Sequence, residues 1–203
     1  MVTLKTTLQH IRLDFNRRVQ LEESRHFLSK LATIIKPGMV GAICYRLSRY
    51  FVQGKLSILC RPLLLIEHIY ARNEISPHAE IGPGLVLGDI GAIGVIDEVR
   101  VGKNCTFIGF NTLTMNQVSG VDFMVDKINV GDYCVFGSRA KVMRPVTIED
   151  GAQIKDNSVV MFSVKKKGST LTGVPAKRKR IDTYEAIINW NPLIGGVLVE
   201  EGQ

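Results

Sequence analysis

A six-residue period between Val130 and Val160 constrains the fold of this chain more than any other feature of its sequence. Successive units begin with a large apolar residue and carry a small or compact residue at the fifth position. The openers are Val130, Phe136, Val142, Ile148 and Ile154. The fifth-position residues are Cys134, Ala140, Val146, Ala152 and Ser158. Repetition with this period is typical of a parallel β-helix, in which each unit forms one short face of a prism.

The geometry of a β-strand explains why the period produces a core. Alternate side chains of a strand point to the same side, so each opener faces inward while the residue beside it faces solvent. The remaining residues of each unit turn the corner, and Gly, Asp and Asn suit the corners because they tolerate left-handed backbone angles. Each buried opener stabilises the fold by roughly 1.5–3 kcal/mol. Stacked openers therefore predict one continuous core.

The same period runs upstream in two shorter frames. The openers of the first frame are Ile75, Ile81, Leu87 and Ile93, and those of the second are Val95, Val101, Phe107 and Leu113. The two-residue shift between the frames predicts a bulge near residues 91–95, and residues 116–129 interrupt the period altogether. Insertions in repeat folds map to loops on one face, which is often the binding face. We therefore expect the functional residues on the side of the bulge and the interruption.

Composition and charge limit the classes of partner. The chain has 203 residues, of which 45% are hydrophobic, enough for one sizeable core and a small accessory domain. Much of its formal charge of +7 lies in two clusters, Lys165–Lys167 and Lys177–Arg180. A basic cluster of this kind is most often a solvated face. Nucleic acid is not an expected partner, because no motif of a nucleic-acid-binding module and no interleaved aromatic residues accompany the charge.

Cysteine use and hydropathy predict a cytoplasmic chain without a membrane span. Cys105 and Cys134 occupy fifth positions, so we expect buried free thiols in a reducing compartment. A polar amphipathic stretch follows Met1, which does not fit a secretory signal. Arg61 and Glu67 interrupt the apolar run of residues 57–70, which is also too short to cross a bilayer.

Periodicity divides the chain into three parts. Apolar residues at helical spacing predict a helix pair over residues 4–35, a third helix over 40–52 and a fourth over 56–72. Residues 1–72 are therefore predicted to form an N-terminal α-helical domain. Residues 73–180 are predicted to form the β-helix, and residues 181–203 a C-terminal tail with one short helical pattern. The tail is apolar enough to pack along a neighbouring prism.

Three segments carry a resemblance to a known family. They read PGMVGAICYRLSRYF from Pro37, ISPHAEIGPGLVL from Ile75 and GVPAK from Gly173. Over residues 37–180 the chain resembles the serine acetyltransferase-like branch of hexapeptide acyltransferases. The resemblance implies a mainly β fold, with a left-handed parallel β-helix after a small α-helical domain, and a homotrimer. It also implies acetyl transfer from acetyl-CoA, without a metal, to a hydroxyl or amine at the interface between subunits.

The resemblance also implies which residues bind the donor. In such enzymes the CoA arm lies in the groove between two prisms, and cations near the last coils contact its phosphates. Lys177 and Arg180 match the cations that follow the Gly-Val-Pro turn, and Lys165 is a further candidate. Ser138 matches a contact to the pantetheine arm.

Neither histidine of the family's active site is present. Asp89 stands at the first position and residues 126–129 at the second, where Lys127 is a candidate for orienting an anionic acceptor. Two interpretations of Asp89 remain open: it is the general base, or it is a turn residue at a corner. Unperturbed aspartate is a weaker base than histidine by on the order of 3.5 kcal/mol. Such a loss would forfeit most of the about 10²–10⁴-fold that general-base catalysis contributes.

Two hypotheses of function follow. The first is an acetyl-CoA-dependent O-acetyltransferase, acting on a sugar hydroxyl of a polysaccharide precursor in preference to serine, because the histidine motif is missing. The second is a catalytically degenerate trimer that binds a ligand or partner without chemistry. A β-helical carbonic anhydrase does not fit, because its zinc site needs three imidazoles and the repeats contain only His78. The identity of the acceptor stays open.

Overall fold

The computed structural model describes residues 2–23, 26–115 and 127–181, together with the backbone of residues 190–191 and 196–197. Helices occupy the first third of the chain. They are α1 (Leu4–Leu21), α2 (Phe27–Ile34), α3 (Pro37–Gln53) and α4 (Cys60–Ile66). A 3-10 turn (Ser57–Leu59) precedes α4, and a π-helical turn (Glu67–Ala71) follows it. The helix pair predicted over residues 4–35 therefore corresponds to α1 and α2, and Pro37 begins α3.

Short strands follow the helices. They are β1 (Glu74–Ile75), β2 (Glu80–Ile81), β3 (Val86–Leu87), β4 (Gly94–Val95), β5 (Val99–Val101), β6 (Thr106–Phe107), β7 (Thr112–Leu113), β8 (Ile128–Val130), β9 (Val135–Phe136), β10 (Lys141–Val142), β11 (Thr147–Ile148), β12 (Gln153–Ile154), β13 (Val159–Val160), β14 (Ser169–Thr172) and β15 (Lys177–Ile181). A separate antiparallel pair consists of β16 (Trp190–Asn191) and β17 (Gly196–Val197). The helical pattern predicted in the tail lies outside the described residues.

Strands β1 to β14 pair in parallel with strands of the neighbouring coil and form three sheets. The first sheet has the order β1-β4-β7-β10-β13, the second β2-β5-β8-β11, and the third β3-β6-β9-β12-β14 with β15 added at its end. β15 is antiparallel to β14 and carries the basic cluster 177–180. Each of the first four coils contributes one strand to each sheet, and in the last coil Val164 forms only an isolated parallel bridge to Ile148 in place of a strand of the second sheet. This arrangement fits the predicted parallel β-helix.

The residues predicted as openers line the inside of the prism. Phe107 and Phe136 are fully buried, and their rings stack with centroids 4.6 Å apart and planes 6° apart. Ile75 pairs with Val95 between adjacent coils. The prediction of Ile93 as an opener is wrong, because Ile93 lies before β4 and, although buried, takes the place of a fifth-position residue. The coil between Leu87 and Val95 therefore contains two extra residues. This finding confirms the predicted bulge.

The chain turns at three edges of the prism, which we name by the sheets they join. The third–first edge comprises residues 88–93, 108–111, 137–140, 155–158 and 173–176. The second–third edge comprises residues 82–85, 102–105, 131–134, 149–152 and 165–168, and the first–second edge residues 76–79, 96–98, 143–146 and 161–163. Corner carboxylates connect successive coils: Asp132 accepts the Lys103 N–H at 2.7 Å, and Asp156 accepts the Ser138 N–H at 2.7 Å. These bonds give the corner aspartates a structural role.

A buried ion pair joins the helices to the first coil. The Nε atom of Arg46 on α3 lies 2.8 Å from Oδ2 of Asp14 on α1, and both side chains are almost completely buried. Arg46 also donates to the Ile81 carbonyl at 2.5 Å and to the Gly82 carbonyl at 2.7 Å. Asp14 in turn accepts the N–H of Leu85 at 2.8 Å. The two charges thus bind each other and backbone groups that would otherwise lack partners.

The cysteines are buried with free thiols, as the sequence predicts for Cys105 and Cys134. No single helix in the described part of the chain is long and apolar enough to cross a membrane. Helices α2 and α3 meet that criterion only when taken together, across a bend of 55°.

Glu67 is a buried carboxyl beneath the first coil. It is 1% exposed, its Oε1 atom accepts the Ile75 N–H at 3.2 Å, and its Oε2 atom has no hydrogen-bond partner among the described residues. Burial raises the pKa of Glu67 to about 8, although the hydrogen bond from Ile75 opposes the shift. The folded protein therefore holds this proton across a pH range in which the unfolded chain releases it.

Replacing Glu67 by glutamine is expected to remove a pH dependence of stability. Because the folded-state pKa is raised, the stability associated with the proton is present at low pH and is lost as pH rises through about 8. The native protein should lose about 2 kcal/mol of unfolding free energy between about pH 6 and about pH 8 through this group. Urea denaturation at both pH values measures the loss.

Glu74→Gln is the matched control, because Glu74 is exposed and pairs with His68 on the surface. It should keep the native pH dependence of unfolding. Equal pH dependence in the native chain and in Glu67→Gln would contradict the assignment.

Candidate active site

Asp89 lies at the third–first edge, within the coil that contains the two extra residues. Its Oδ2 atom accepts a hydrogen bond from Nη2 of Arg18 at 2.5 Å, and its Oδ1 atom accepts the Gly38 N–H at 2.9 Å. Arg18 also donates from Nη1 to the Leu87 carbonyl at 2.5 Å. Asp89 therefore connects α1 and the first turn of α3 to the bulged coil. Asp89 differs in this from the corner aspartates, which bind backbone groups of the next coil, because Arg18 and Gly38 both lie on helices.

The carboxylate of Asp89 is still accessible. Its side chain is 32% exposed, whereas that of Arg18 is 4% exposed. Each carboxylate oxygen can accept two hydrogen bonds, and one is used on each oxygen. A ligand hydroxyl can therefore still donate to Asp89.

The network of charges continues behind Arg18. Its Nε atom lies 2.8 Å from Oε1 of Glu22, and Oε2 of Glu22 lies 2.9 Å from Nζ of Lys36. Burial disfavours the ionised form of Glu22, but hydrogen bonds from Lys36, Arg18 and Thr33 outweigh burial and lower its pKa. Two cations and two carboxylates thus alternate from Lys36 to Asp89. The alternation fixes the orientation of Arg18 and, through it, of Asp89.

A cavity of about 470 Å³ lies against the same edge, further along the prism. Ala92, Phe110, Thr112, Arg139, Lys141, Asn157 and Val159 line it. Arg139 places its guanidinium 5.8 Å from the centroid of the Phe110 ring. Lys141 lies on the outer surface of the first sheet, where it is exposed. The cavity therefore offers two cations and an aromatic face, which suit a phosphate-bearing ligand with a planar base.

Two of the predicted donor-binding residues lie at this edge. The Ser138 carbonyl accepts the N–H of Asn157, a lining residue of the cavity, at 2.8 Å. The turn of residues 173–176 covers the last coil here, because the Ala176 N–H donates to the Val159 carbonyl at 2.8 Å. Lys177, exposed, follows that turn directly and begins β15. Asp89, Ser138 and Lys177 are therefore arranged along one edge.

The remaining predicted residues lie elsewhere or outside the described side chains. Lys165 is exposed at the second–third edge. Lys127 precedes β8 at the first–second edge, where the Ile128 N–H donates to the Glu98 carbonyl at 3.0 Å. The backbone of Arg180 belongs to β15, but its side chain lies outside the described residues. Within one copy the structure does not bring Lys127 or Lys165 together with Asp89.

Sequence reasoning missed Arg18, Arg139 and Lys141. Arg18 precedes Asp89 by 71 positions, and no local pattern indicates such a pairing. Arg139 and Lys141 flank the fifth position of the unit that Phe136 opens, so the repeat itself places them on the outside of the prism. That position could have been inferred from the period. No group of three or more histidine, cysteine or acidic residues in the described ranges is arranged to hold a metal ion.

The curated proteins that are similar in sequence to this chain are serine acetyltransferases. No family model matches the chain. The serine acetyltransferase of Helicobacter pylori strain J99 is 27% identical over 146 residues, which are 71% of this chain and 82% of the relative. The serine acetyltransferase of Synechococcus elongatus is 29% identical over 143 residues, which are 70% of this chain and 56% of the relative.

Solved structures of serine acetyltransferases share the fold. The enzyme from Vibrio cholerae superposes with a TM-score of 0.76 at 19% identity, covering 91% of this chain and 70% of that one. The Neisseria gonorrhoeae enzyme in complex with serine gives 0.73 at 20% identity, covering 87% and 70%. The Brucella abortus enzyme in complex with coenzyme A gives 0.70 at 21% identity, covering 84% and 66%. The comparisons confirm the resemblance of this chain to the serine acetyltransferase-like branch of the hexapeptide acyltransferases.

Proposed function

We propose that this chain is an acetyl-CoA-dependent O-acetyltransferase built on a left-handed β-helix. One observation carries the proposal: an accessible carboxylate, Asp89, and a cavity lined by cations lie along a single edge of the prism. Acyl transfer from a thioester needs a proton acceptor and a site for a long phosphorylated donor, and the edge supplies both. The relatives named serine acetyltransferase support the same class of enzyme.

The donor-binding residues form a line along the third–first edge. Arg139 and Lys141 in the cavity would bind phosphates of acetyl-CoA, with Phe110 against the planar base. Ser138 would contact the pantetheine arm. Lys177 and Arg180 would bind phosphates at the last coil. Lys165 lies at a different edge, so it would reach the phosphates of a donor only on a neighbouring copy. A serine acetyltransferase with the same fold has been solved with coenzyme A, which supports this choice of ligand.

The acceptor in this proposal is a molecule with a free hydroxyl group. Serine is the acceptor that the names of the relatives indicate, and a solved neighbour is a complex with serine. A sugar hydroxyl is the acceptor predicted from the missing histidines. Serine and a sugar both react through a hydroxyl. They would differ in which protein side chains bind the rest of the acceptor.

Asp89 would accept the proton of the acceptor hydroxyl. The hydroxyl oxygen then forms a bond to the thioester carbonyl carbon, the carbon–sulfur bond breaks, and the proton passes to the departing thiolate. Arg18 acts as a positioning residue, because it is buried and holds the Oδ2 atom of Asp89. The bulge of two residues displaces this part of the coil outward, where an acceptor can reach the carboxylate.

A homotrimer is the functional unit in this proposal. Lys127 and Asp89 lie at different edges of one prism, so only a neighbouring copy can bring both to the same acceptor. Packing of three prisms edge to face would create such seams. Analytical ultracentrifugation of the full chain tests the assembly, and a monomer would contradict it.

Asp89→Asn is expected to lower kcat by at least about 10²-fold, because asparagine cannot accept the proton. The variant keeps one oxygen, which can accept the Gly38 N–H, but its amide nitrogen then faces Arg18 Nη2, so some loss of stability is also expected. Steady-state release of the CoA thiol measures kcat, and urea denaturation measures stability separately. Asp132→Asn, which alters a corner carboxylate at the second–third edge, is the matched control.

Unchanged turnover in a folded Asp89→Asn variant would show that Asp89 is not the base. If the native chain binds acetyl-CoA but transfers no acetyl group to any hydroxyl, the catalytically degenerate trimer replaces the enzyme as the explanation.

Arg139→Gln is expected to raise the KM for acetyl-CoA roughly tenfold with little change in kcat, because a charge-assisted hydrogen bond to phosphate is lost. The KM of the variant should also depend less on salt. Arg144→Gln, an exposed arginine at the first–second edge, should leave the KM unchanged. If Arg144→Gln raises the KM for acetyl-CoA more than Arg139→Gln does, the donor binds elsewhere on the protein.

A further inference from the structure

Helix α2 is packed with its polar side inward. Thr33 is its buried residue and donates to Oε2 of Glu22 at 2.9 Å. In contrast, Phe27, Leu28 and Leu31 are 78%, 75% and 54% exposed. A helix on the surface of a protein normally buries its apolar face and exposes its polar one. The reversed orientation of α2 indicates that something apolar covers its outer face.

The segment of residues 56–70 exposes apolar side chains as well. It buries Cys60 and Glu67, while Ile58, Leu65 and Ile69 are 72%, 58% and 66% exposed. The two segments meet, because the Tyr70 hydroxyl donates to the carbonyl of Ile35 at 2.6 Å. We refer to the exposed side chains of residues 27–35 and 56–70 as the apolar face. Contiguous exposed apolar surface of this kind marks a site of interaction with a protein or a membrane.

The charges around the apolar face are mainly positive. Between His26 and Asn73 the sequence contains a single acidic residue, Glu67, and that residue is buried. The exposed cations in this stretch are Lys30, Lys55, Arg61 and Arg72. Exposed Glu74 lies next to the stretch and pairs with His68. Four cations against this one carboxylate leave the border of the apolar face positive.

The sign of the charge distinguishes between two possible occupants. If the apolar face met the same face of a second copy, cations would meet cations, and like charges across an interface oppose association. The surface of an anionic bilayer instead offers negative headgroups next to hydrocarbon. Short helices with bulky apolar residues on one side and lysine or arginine at the border bind in that interfacial plane.

We propose that the apolar face is a docking surface for an anionic lipid bilayer. Phe27, Leu28 and Ile69 would enter the headgroup boundary, and Lys30 and Arg61 would contact anionic headgroups. The chain would lie on the membrane rather than cross it. The proposal needs neither Asp89 nor the cavity, so it is independent of acetyl transfer and can fail or succeed separately.

Sedimentation of the full 203-residue chain with vesicles tests the proposal. Binding is expected to vesicles that contain phosphatidylglycerol and to be much weaker to phosphatidylcholine alone, and it should fall with added salt. Leu28→Ser should lower the partition coefficient roughly tenfold, because a bulky side chain no longer enters the bilayer. Lys30→Glu should lower it by at least about fivefold, because a contact to an anionic headgroup is lost.

Two matched variants serve as controls. Ile90→Ser removes an equally exposed side chain, at 75%, from the third–first edge, and Lys103→Glu reverses an exposed charge at the second–third edge. Both should bind like the native chain. Light scattering of each variant detects changes in assembly.

Absence of binding to both kinds of vesicle would overturn the proposal. Equal losses in Leu28→Ser and Ile90→Ser would also overturn it. If Leu28→Ser instead lowers the mass of the assembly and leaves vesicle binding unchanged, the apolar face lies between copies of the chain.

Discussion

Arg46→Met is expected to lower the free energy of unfolding by about 3–5 kcal/mol, because it leaves a buried carboxylate without its cation. Asp14 is 0% exposed, so water cannot replace the lost partner. The carbonyls of Ile81 and Gly82 lose their donor in the same variant. Urea denaturation monitored by circular dichroism measures the change.

The surface pair of Arg100 and Glu80 provides the matched control. Their nitrogen and oxygen lie 3.3 Å apart, but both side chains are about half exposed. Arg100→Met should therefore cost no more than about 1 kcal/mol. Similar losses in Arg46→Met and Arg100→Met would mean that the helices do not depend on the buried pair for their attachment to the first coil.

Phe136→Ala is expected to cost about 3–5 kcal/mol, because it opens a cavity in the middle of the prism. Phe136 is fully buried between coils and stacks on Phe107. The rigid coils above and below restrict any collapse of the cavity, since their backbones are held by parallel strand pairs. Thermal or urea unfolding gives the loss directly.

Phe162→Ala is the control for this prediction, since Phe162 is 41% exposed. Its loss should be much smaller than that of Phe136→Ala. A double-mutant cycle with Phe107→Ala should also give a coupling energy of about 0.5–1.5 kcal/mol, as expected for stacked rings. Additive losses would indicate that the two rings do not stabilise each other.

The repeat region could be predicted closely from the sequence because its interactions repeat locally. Each opener identifies its own strand, and the two-residue shift after Leu87 correctly predicts the bulge. The interruption ends slightly earlier than predicted, since β8 already begins at Ile128. The antiparallel strand β15 was not predicted, because a run of lysines and arginines carries no apolar alternation.

The edge that holds the candidate active site could be predicted only in part. Ser138 and Lys177 lie along it, and their role in binding the donor stays a prediction. The partner of Asp89, however, is Arg18 on α1, and a pairing between residues so distant in sequence leaves no periodic signal. Alternation along a strand indicates which side a residue faces, but it does not indicate which helix packs against that side.

The helices illustrate a second limit of periodicity. The apolar positions of α2 and of the π-helical turn after α4 correctly indicate helical structure, and the natural expectation is that they face the protein core. In the structure Thr33 of α2 and Glu67 of the turn face inward instead. A hydrophobic pattern shows that a face avoids water, but it does not distinguish burial in the protein from burial against another surface.

We propose that the third–first edge catalyses acetyl transfer from acetyl-CoA to a hydroxyl. The most direct measurement is acceptor-dependent release of the CoA thiol by the full chain, with serine and a panel of sugars supplied in parallel. We predict release with at least one hydroxyl acceptor, and its loss by at least about 10²-fold in Asp89→Asn. A folded chain that releases no thiol with any acceptor would contradict the account.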